Sequence, residues 1–421
     1  MSVKWQQVVI SDVAELVRGV TYSKDNARNT PAEGFSPVLR ATNIQDSCLV
    51  LESDLVYVPS ENVSATQRLR AGDIVMATSS GSKHLVGKSA LMRTNWVGSF
   101  GAFCATLRAK SNIDPRYLSA FLQSPAYWGQ VTKKALGVNI NNLRRGDIET
   151  LALPLPELEE QREIVAELEK QFSRLDEAVA NLKRVKANLK RYKASVLKDA
   201  VKGRLVPMES IASDGEGNAV WVPISKAIKT LDQGWSPQCE SESRSSNDEW
   251  AVMKTTAIQP MEFRAEENKL LPPGLVFRSH LGLMNGDLLI TRAGPRTRVG
   301  VTCSVKSDLP RLMLCDKAYR LRAKLDIAIP AYLEVVLNSP TLLDRLDELK
   351  SGISDSGLNL TQKRFGELLV PLPSLAEQQR IVDEVDRRLS LVSGVETEVD
   401  ANLKRAQSLR QSTLQKAFTP S

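Results

Sequence analysis

The second half of this chain repeats the first, and that restricts its architecture to an arrangement of two related units. Residues 37–45 (PVLRATNIQ) return as 251–259 (AVMKTTAIQ), Gly72-Asp73-Ile74-Val75 returns as Gly286-Asp287-Leu288-Leu289, and Leu107-Arg108-Ala109-Lys110 returns unchanged as Leu321-Arg322-Ala323-Lys324. All three pairs are 214 residues apart. Ser124-Pro125 then matches Ser339-Pro340, and LPLPELEEQREIV from Leu153 matches VPLPSLAEQQRIV from Val370. Matches in one order at nearly one offset mark a duplication. By itself a duplication assigns no function, so the content of each copy decides.

A chain of 421 residues has room for more than one core. Its 42% hydrophobic and 25% charged residues belong to a folded, soluble class. The five cysteines form no CxxC pair and only His84 and His280 accompany them, which argues against a zinc site and for a reducing cytoplasm. No secretory pattern opens the chain, and no apolar run approaches the roughly 20 residues that span a bilayer. The reading is therefore a cytoplasmic protein with no membrane partner. A net charge of +7 and a pI near 9.1 favour a polyanionic partner without selecting one.

Each copy opens with a mixed pattern. The Gly-Asp pairs precede short apolar runs at Ile74 to Met76 and Leu288 to Ile290, which read as turns leading into strands. Helical spacing begins at Pro115 and Pro330, with proline at the first helical position where its missing N–H costs little. Polar loops at Ser23 to Gly34 and Ser236 to Asp248 face solvent in this reading. The fold class is α+β, with two pseudo-symmetric globular domains joined by two long antiparallel coiled-coil helices. Its boundaries are 1–156 for the first domain, 157–203 for a central helix, 204–220 for a linker, 221–373 for the second domain and 374–421 for a C-terminal helix.

The helices rest on a seven-residue repeat. Leu168, Leu175, Leu182, Leu189 and Val196 recur as one seam, and Val382, Val385, Leu389, Val392, Val399 and Leu403 form the other at spacings of three and four. At about 1.5 Å per residue each helix is roughly 66 Å long, more than one such domain can cover. Charge sets their direction. Glu157, Glu159, Glu160 and Glu163 open the first helix, and Lys190, Arg191, Lys193 and Lys198 close it. The second runs from Glu377, Asp383 and Glu384 to Lys404, Arg405 and Arg410. Parallel packing sets like against like, whereas antiparallel packing sets acid against base, so a rod with a domain near each end is expected.

Motifs for catalysis are missing. GSKHLVGKS from Gly81 has five residues between its glycines where a phosphate-binding P-loop needs four, and its counterpart from Ala293 lacks the Lys-Ser ending. Glu267-Asn268-Lys269 and Glu348-Leu349-Lys350 imitate the tail of a nuclease motif, but no Pro-Asp precedes either, and both read as surface charge. The same two loops suit DNA better. Lys83, His84 and Lys88, with Arg93 just after, stand where the second copy has Arg292, Arg296 and Arg298, and such groups can read guanine or grip phosphate. Lys133, Lys134, Arg144 and Arg145, with Lys363 and Arg364 opposite, are candidate backbone clamps. A coiled-coil scaffold with incidental basic loops, and a nuclease or methyltransferase with an unrecognised site, stay open as alternatives.

The two proline-flanked motifs at Leu153 and Val370, each closing a variable globular domain and opening a coiled-coil helix, resemble the specificity subunit of type I restriction-modification systems. Gly19-Val20-Thr21-Tyr22-Ser23 and Gly234-Trp235-Ser236-Pro237-Gln238 also resemble the segment that opens that family's variable domains, the second lacking the usual threonine. The resemblance covers essentially the whole chain. It implies two target recognition domains, each reading one half of a bipartite double-stranded DNA site, with paired helices as spacer and docking surface. Two modification (methyltransferase) subunits would bind there, with restriction (endonuclease and translocase) subunits as further partners. S-adenosylmethionine, ATP and Mg would belong to those partners, and this chain would bind no cofactor and catalyse nothing.

Overall fold

The duplicated motifs turn out to be the fastenings of a duplicated frame. A computed structural model of the chain describes residues 5–80, 85–135, 142–206 and 220–419. Its contacts separate into two units, residues 1–183 with 400–421 and residues 184–399. Both long helices pass from one unit to the other.

In the first unit a four-stranded antiparallel sheet runs in the order Ala14–Arg18, Cys104–Ala109, Asp73–Ala77, Ser89–Leu91. The second unit repeats it with Ile228–Gln233, Ala318–Ala323, Leu288–Thr291, Thr302–Ser304. Gly72 and Gly286 turn the chain into the third strand at φ of +90° and +84°, in the left-handed region where a Cβ would be strained. The aspartate that follows is buried and needs a cation. Arg108, directly opposite Asp73 in register, holds both carboxylate oxygens at 2.8 and 2.9 Å. Arg322 holds Asp287 at 2.7 Å in the other unit. Gly-Asp and Leu-Arg-Ala-Lys are thus the two sides of one bidentate, charge-assisted bridge. The lysines of the second motif tie down the strand edge, Lys110 to the Ser11 carbonyl and Lys324 to that of Lys226.

A smaller sheet carries the first repeat. Phe35–Leu39 lies between Val56–Pro59 and Ser99–Phe100, and Ala251–Met253 lies between Asn268–Leu270 and Leu309–Met313. Just beyond, Arg40 and Thr42 hold the Asp54 carboxylate, as Lys254 and Thr256 hold that of Glu267. Gly19 and Gly234 allow the chain to cross here. A Cβ on either would lie 2.1 or 2.2 Å from a backbone oxygen, of Gly101 and Leu314 respectively.

The proline motifs fasten domain to helix. Ala152–Leu155 pairs with Gln6–Val9, and Leu369–Leu372 with Val220–Pro223. Tyr117 donates to the Pro154 carbonyl and Tyr332 to that of Pro371. The glutamine of each motif is fully buried and spans three groups. Gln161 accepts from the Asp114 N–H and donates to the Asn112 and Pro156 carbonyls. Gln378 repeats this with Ile329, Ile327 and Pro373.

The helices extend over Leu158–Val201 and Leu375–Ala417. In the first unit the start of one meets the end of the other. Val165 and Leu168 share a core with Leu414 and Phe418, whose ring lies 5.1 Å from that of Tyr117 and 5.5 Å from that of Phe121. Arg410 reaches Asp176 at 2.6 Å and covers the Phe172 ring. In the second unit Val196, Leu197 and Ala200 join Ile381, Val382 and Val385, and Lys193 pairs with Glu396. Each unit therefore holds an antiparallel pair in which acid faces base. Val392 and Val399 are buried, while Leu175, Leu182, Leu189, Leu389 and Leu403 are half-buried, because one partner helix covers a single stripe. No helix among the described residues is long and apolar enough to cross a membrane.

Candidate nucleic-acid interface

At one end of each four-stranded sheet three loop segments converge. In the first unit the chain leaves Asp73–Ala77 at Thr78, whose N–H and that of Ser79 both donate to the Phe103 carbonyl, while the Leu143 N–H donates to the Thr78 carbonyl. In the second unit the Arg292 N–H donates to the Lys317 carbonyl and the Leu360 N–H to the Arg292 carbonyl. The frame is the same, but the side chains at the convergence are not. Phe103, 70% exposed, occupies the position that Lys317 holds in the other copy.

The basic residues singled out from the sequence distribute unevenly around these ends. Lys83 and His84 lie outside the described residues, as does the side chain of Lys134. Lys88 is half-buried in the turn that returns to the sheet, and Lys133 is exposed on the helix Pro125–Ala135. Arg144 and Arg145 follow Leu143 directly and are exposed, Arg145 within 2.7 Å of Glu149. Lys363 and Arg364 come three and four residues after Leu360 and are exposed, with Arg364 donating to the Leu349 carbonyl. Arg93 sits elsewhere. It lines a cavity with Arg116, Glu169 and Arg410, against the long helix.

The three arginines of the second loop have partners of their own. Arg292 donates to the Asp316 carbonyl and lies 5.7 Å from the Tyr319 ring centroid. Arg296 bridges Asp347 and Asp355. Arg298 donates to the Thr255 and Ile258 carbonyls and to Gln259, pinning the second half of the 251–259 repeat. Its guanidinium is a fastening of the frame, directed at protein acceptors, and only Arg296 of the three presents an exposed side chain. Asp347 is held below the usual carboxylate range by Lys350 first and by Arg296 as well, so that ion pair persists through neutral pH.

The sequence reading missed a cleft of about 360 Å³ in the second unit, lined by Ser236, Lys254, Lys269, Cys315, Asp316 and Lys317. Lys317 belongs both to this cleft and to the convergent loops, which makes the two continuous. Lys254, Lys269 and Lys317 set three ammonium groups around one concavity, Lys254 beside Glu267 and Asp316 accepting from the Ser236 hydroxyl, and the surplus of cations suits a polyanion. Two signals for it were present. Lys254 occupies the same repeat position as Arg40, and Lys269 ends the Glu-Asn-Lys triplet that read as plain surface charge.

Residues 2–191 match the family model described as type I restriction modification DNA specificity domain. The chain is 31% identical over 420 residues to the EcoKI specificity subunit of Escherichia coli K12 and 30% identical over 420 residues to the StySPI specificity subunit of Salmonella potsdam. Each alignment covers 98% of this chain and 88% of the relative. Among solved structures, a chain from work on complex assembly and conformational transition of the type I R-M system superposes with a TM-score of 0.72 at 20% identity, over 99% of this chain and 98% of that one. The HsdS subunit of Thermoanaerobacter tengcongensis gives 0.50 at 19% identity, over 99% and 97%. Similarity along the whole length, together with a frame fastened twice by the same motifs, makes this chain a member of the type I restriction enzyme specificity subunits.

Proposed function

We propose that this subunit binds double-stranded DNA sequence-specifically and reads an asymmetric bipartite target, one part with each globular domain. It docks two modification subunits, which supply S-adenosylmethionine-dependent adenine methylation. Restriction subunits are further partners and bring ATP- and Mg-dependent chemistry. The observation that carries this reading is the contrast at the convergent loops: two copies share their buried bridges and glutamine brackets, yet present unlike side chains at the same end of the sheet. A reader of two different half-sites needs a constant frame and variable contacts.

The test is adenine methylation by the reconstituted complex, scored over every single-base variant of its target. Lys269→Gln and Lys317→Gln change exposed side chains and should leave assembly intact. Each should relax discrimination at one half-site, by about 1 to 3 kcal/mol if it meets a base edge, or weaken binding evenly with a shallower salt dependence if it meets phosphate. Methylation unaffected in both sequence choice and salt dependence would refute the assignment of this cleft to DNA. Methyl transfer by the subunit alone would refute the non-catalytic reading.

A further inference from the structure

The second globular domain carries an apolar tip on the loop after its strand Asn268–Leu270. Loop residues 273–280 are all exposed, and among them Leu275 is 40%, Val276 82% and Phe277 48% exposed. Three large apolar groups facing solvent side by side are unusual in a surface loop unless something covers them. The residues 214 positions earlier read differently. At that spacing the first copy has Asn62, Val63 and Ser64, of which Val63 is buried.

Aromatic contacts seat the tip against the domain. Phe277 stacks on Trp250 with ring centroids 4.1 Å apart and planes within 9°. Arg278 lies over the Trp235 ring at 4.3 Å. Trp250 precedes the strand Ala251–Met253 and alternates with Val252 and Lys254, so these three share one face of the smaller sheet. Lys269 stands opposite Val252 in register and on the same face. Trp235 is followed by Ser236, which lines the lysine cleft. An apolar tip, a guanidinium at its base and the lysine cleft thus lie along one surface. Cations that hold a phosphate backbone would bring the tip against the bases.

We infer that Val276 and Phe277 form a wedge that enters the DNA at the half-site read by the second domain and partly unstacks one base step. The inference rests on the DNA-reading function proposed above and adds a mode of contact to it. Apolar side chains backed by a stacked aromatic pair suit insertion between bases, where hydrogen-bonding groups are not required. Arg278, anchored on Trp235, is placed to hold the flanking phosphate.

The experiment uses the complete complex with its modification subunits and duplexes carrying 2-aminopurine at successive positions of the target. Its fluorescence rises when a neighbouring base unstacks. Beyond the signal at each adenine that the modification subunits extrude for methylation, the expected result is an enhancement at one further step in the second domain's half-site. Val276→Ala and Phe277→Ala should abolish it and weaken specific binding about tenfold, within the range for one base–aromatic contact. Val276 is mostly in solvent, so its replacement tests the contact without threatening the fold. Specific binding with no enhancement apart from that at the methylated adenines, or a further enhancement that both variants retain, overturns the wedge and leaves DNA reading intact. Variants that bind DNA normally but lose modification subunits identify the tip as a protein contact and likewise overturn it. Absence of any specific DNA binding by the wild-type complex overturns both readings.

Discussion

Replacing Gln161 by leucine tests whether the proline motif is a structural bracket. The side chain is fully buried, and leucine is close to it in volume, so little cavity is created. Three polar groups lose their partner. The Asp114 N–H and the Pro156 carbonyl were each held at 2.8 Å, the Asn112 carbonyl more weakly at 3.3 Å. A buried group left without its hydrogen bond costs about 1 to 3 kcal/mol, so two well-made bonds and one poor one give about 2 to 5 kcal/mol. Two separately packed units make a single global transition unsafe to assume. Hydrogen–deuterium exchange read by mass spectrometry resolves the effect locally. Peptides around residues 110–122 and 153–165 should exchange about 30- to 5,000-fold faster, at about 1.4 kcal/mol per factor of ten. Gln378→Leu should have the same effect around 327–337 and 370–382, leaving the first set unchanged. An acceleration below about fivefold in the Gln161 variant would show that water or a neighbour replaces the side chain, and the bracket argument would fail.

Two further outcomes follow from burial. Phe418→Ala removes a ring that packs edge-on against both Tyr117 and Phe121, so the first unit should lose about 3 to 5 kcal/mol in chemical denaturation while exchange in the second is unchanged. Thiol reactivity at pH 8 should rank by environment: Cys48 is exposed and should react first, and Cys239, its thiol raised by partial burial, should follow more slowly. Burial pushes Cys104 and Cys315 up to about 12 and raises Cys303 as well, so all three stay protonated at pH 8 and should react only on unfolding. Rapid labelling of Cys303 in the folded protein would contradict its placement in the core.

Much of the frame was legible because it depends on local pattern. Gly72 and Gly286 announce turns by their chemistry, and Pro115 and Pro330 open helices in the structure as the spacing implied. The direction of the helix pair was legible from charge blocks, because Asp176–Arg410 and Lys193–Glu396 join the very halves that opposed charge selects. The candidate interface was less legible, since a basic residue in a sequence does not show what tertiary structure brings to it. Arg298 lies about 40 residues from the carbonyls it holds, and Arg296 meets its two aspartates across 51 and 59 residues. Lys269 shows the converse: a charge in an uninformative triplet became a cleft residue because its strand pairs with Ala251–Met253. The seam's periodicity also gave no sign that Phe418, past the last heptad, closes the core of the first domain.

The two copies compare one frame under two sets of surface demands. Where a side chain satisfies buried polar groups, both copies keep its chemistry: Asp73 with Arg108 and Asp287 with Arg322, Gln161 and Gln378, Tyr117 and Tyr332. Losing any of these leaves a buried charge, amide or hydroxyl without its partner, at a cost of several kcal/mol out of a small total stability. Where a side chain faces solvent, that penalty vanishes and the copies part company. Phe103 and Lys317, both exposed at matched positions, differ in this way. There one copy is apolar where the other is cationic. A frame stabilised from within can therefore carry surfaces of unlike character without refolding, and two unlike surfaces are what reading an asymmetric target requires.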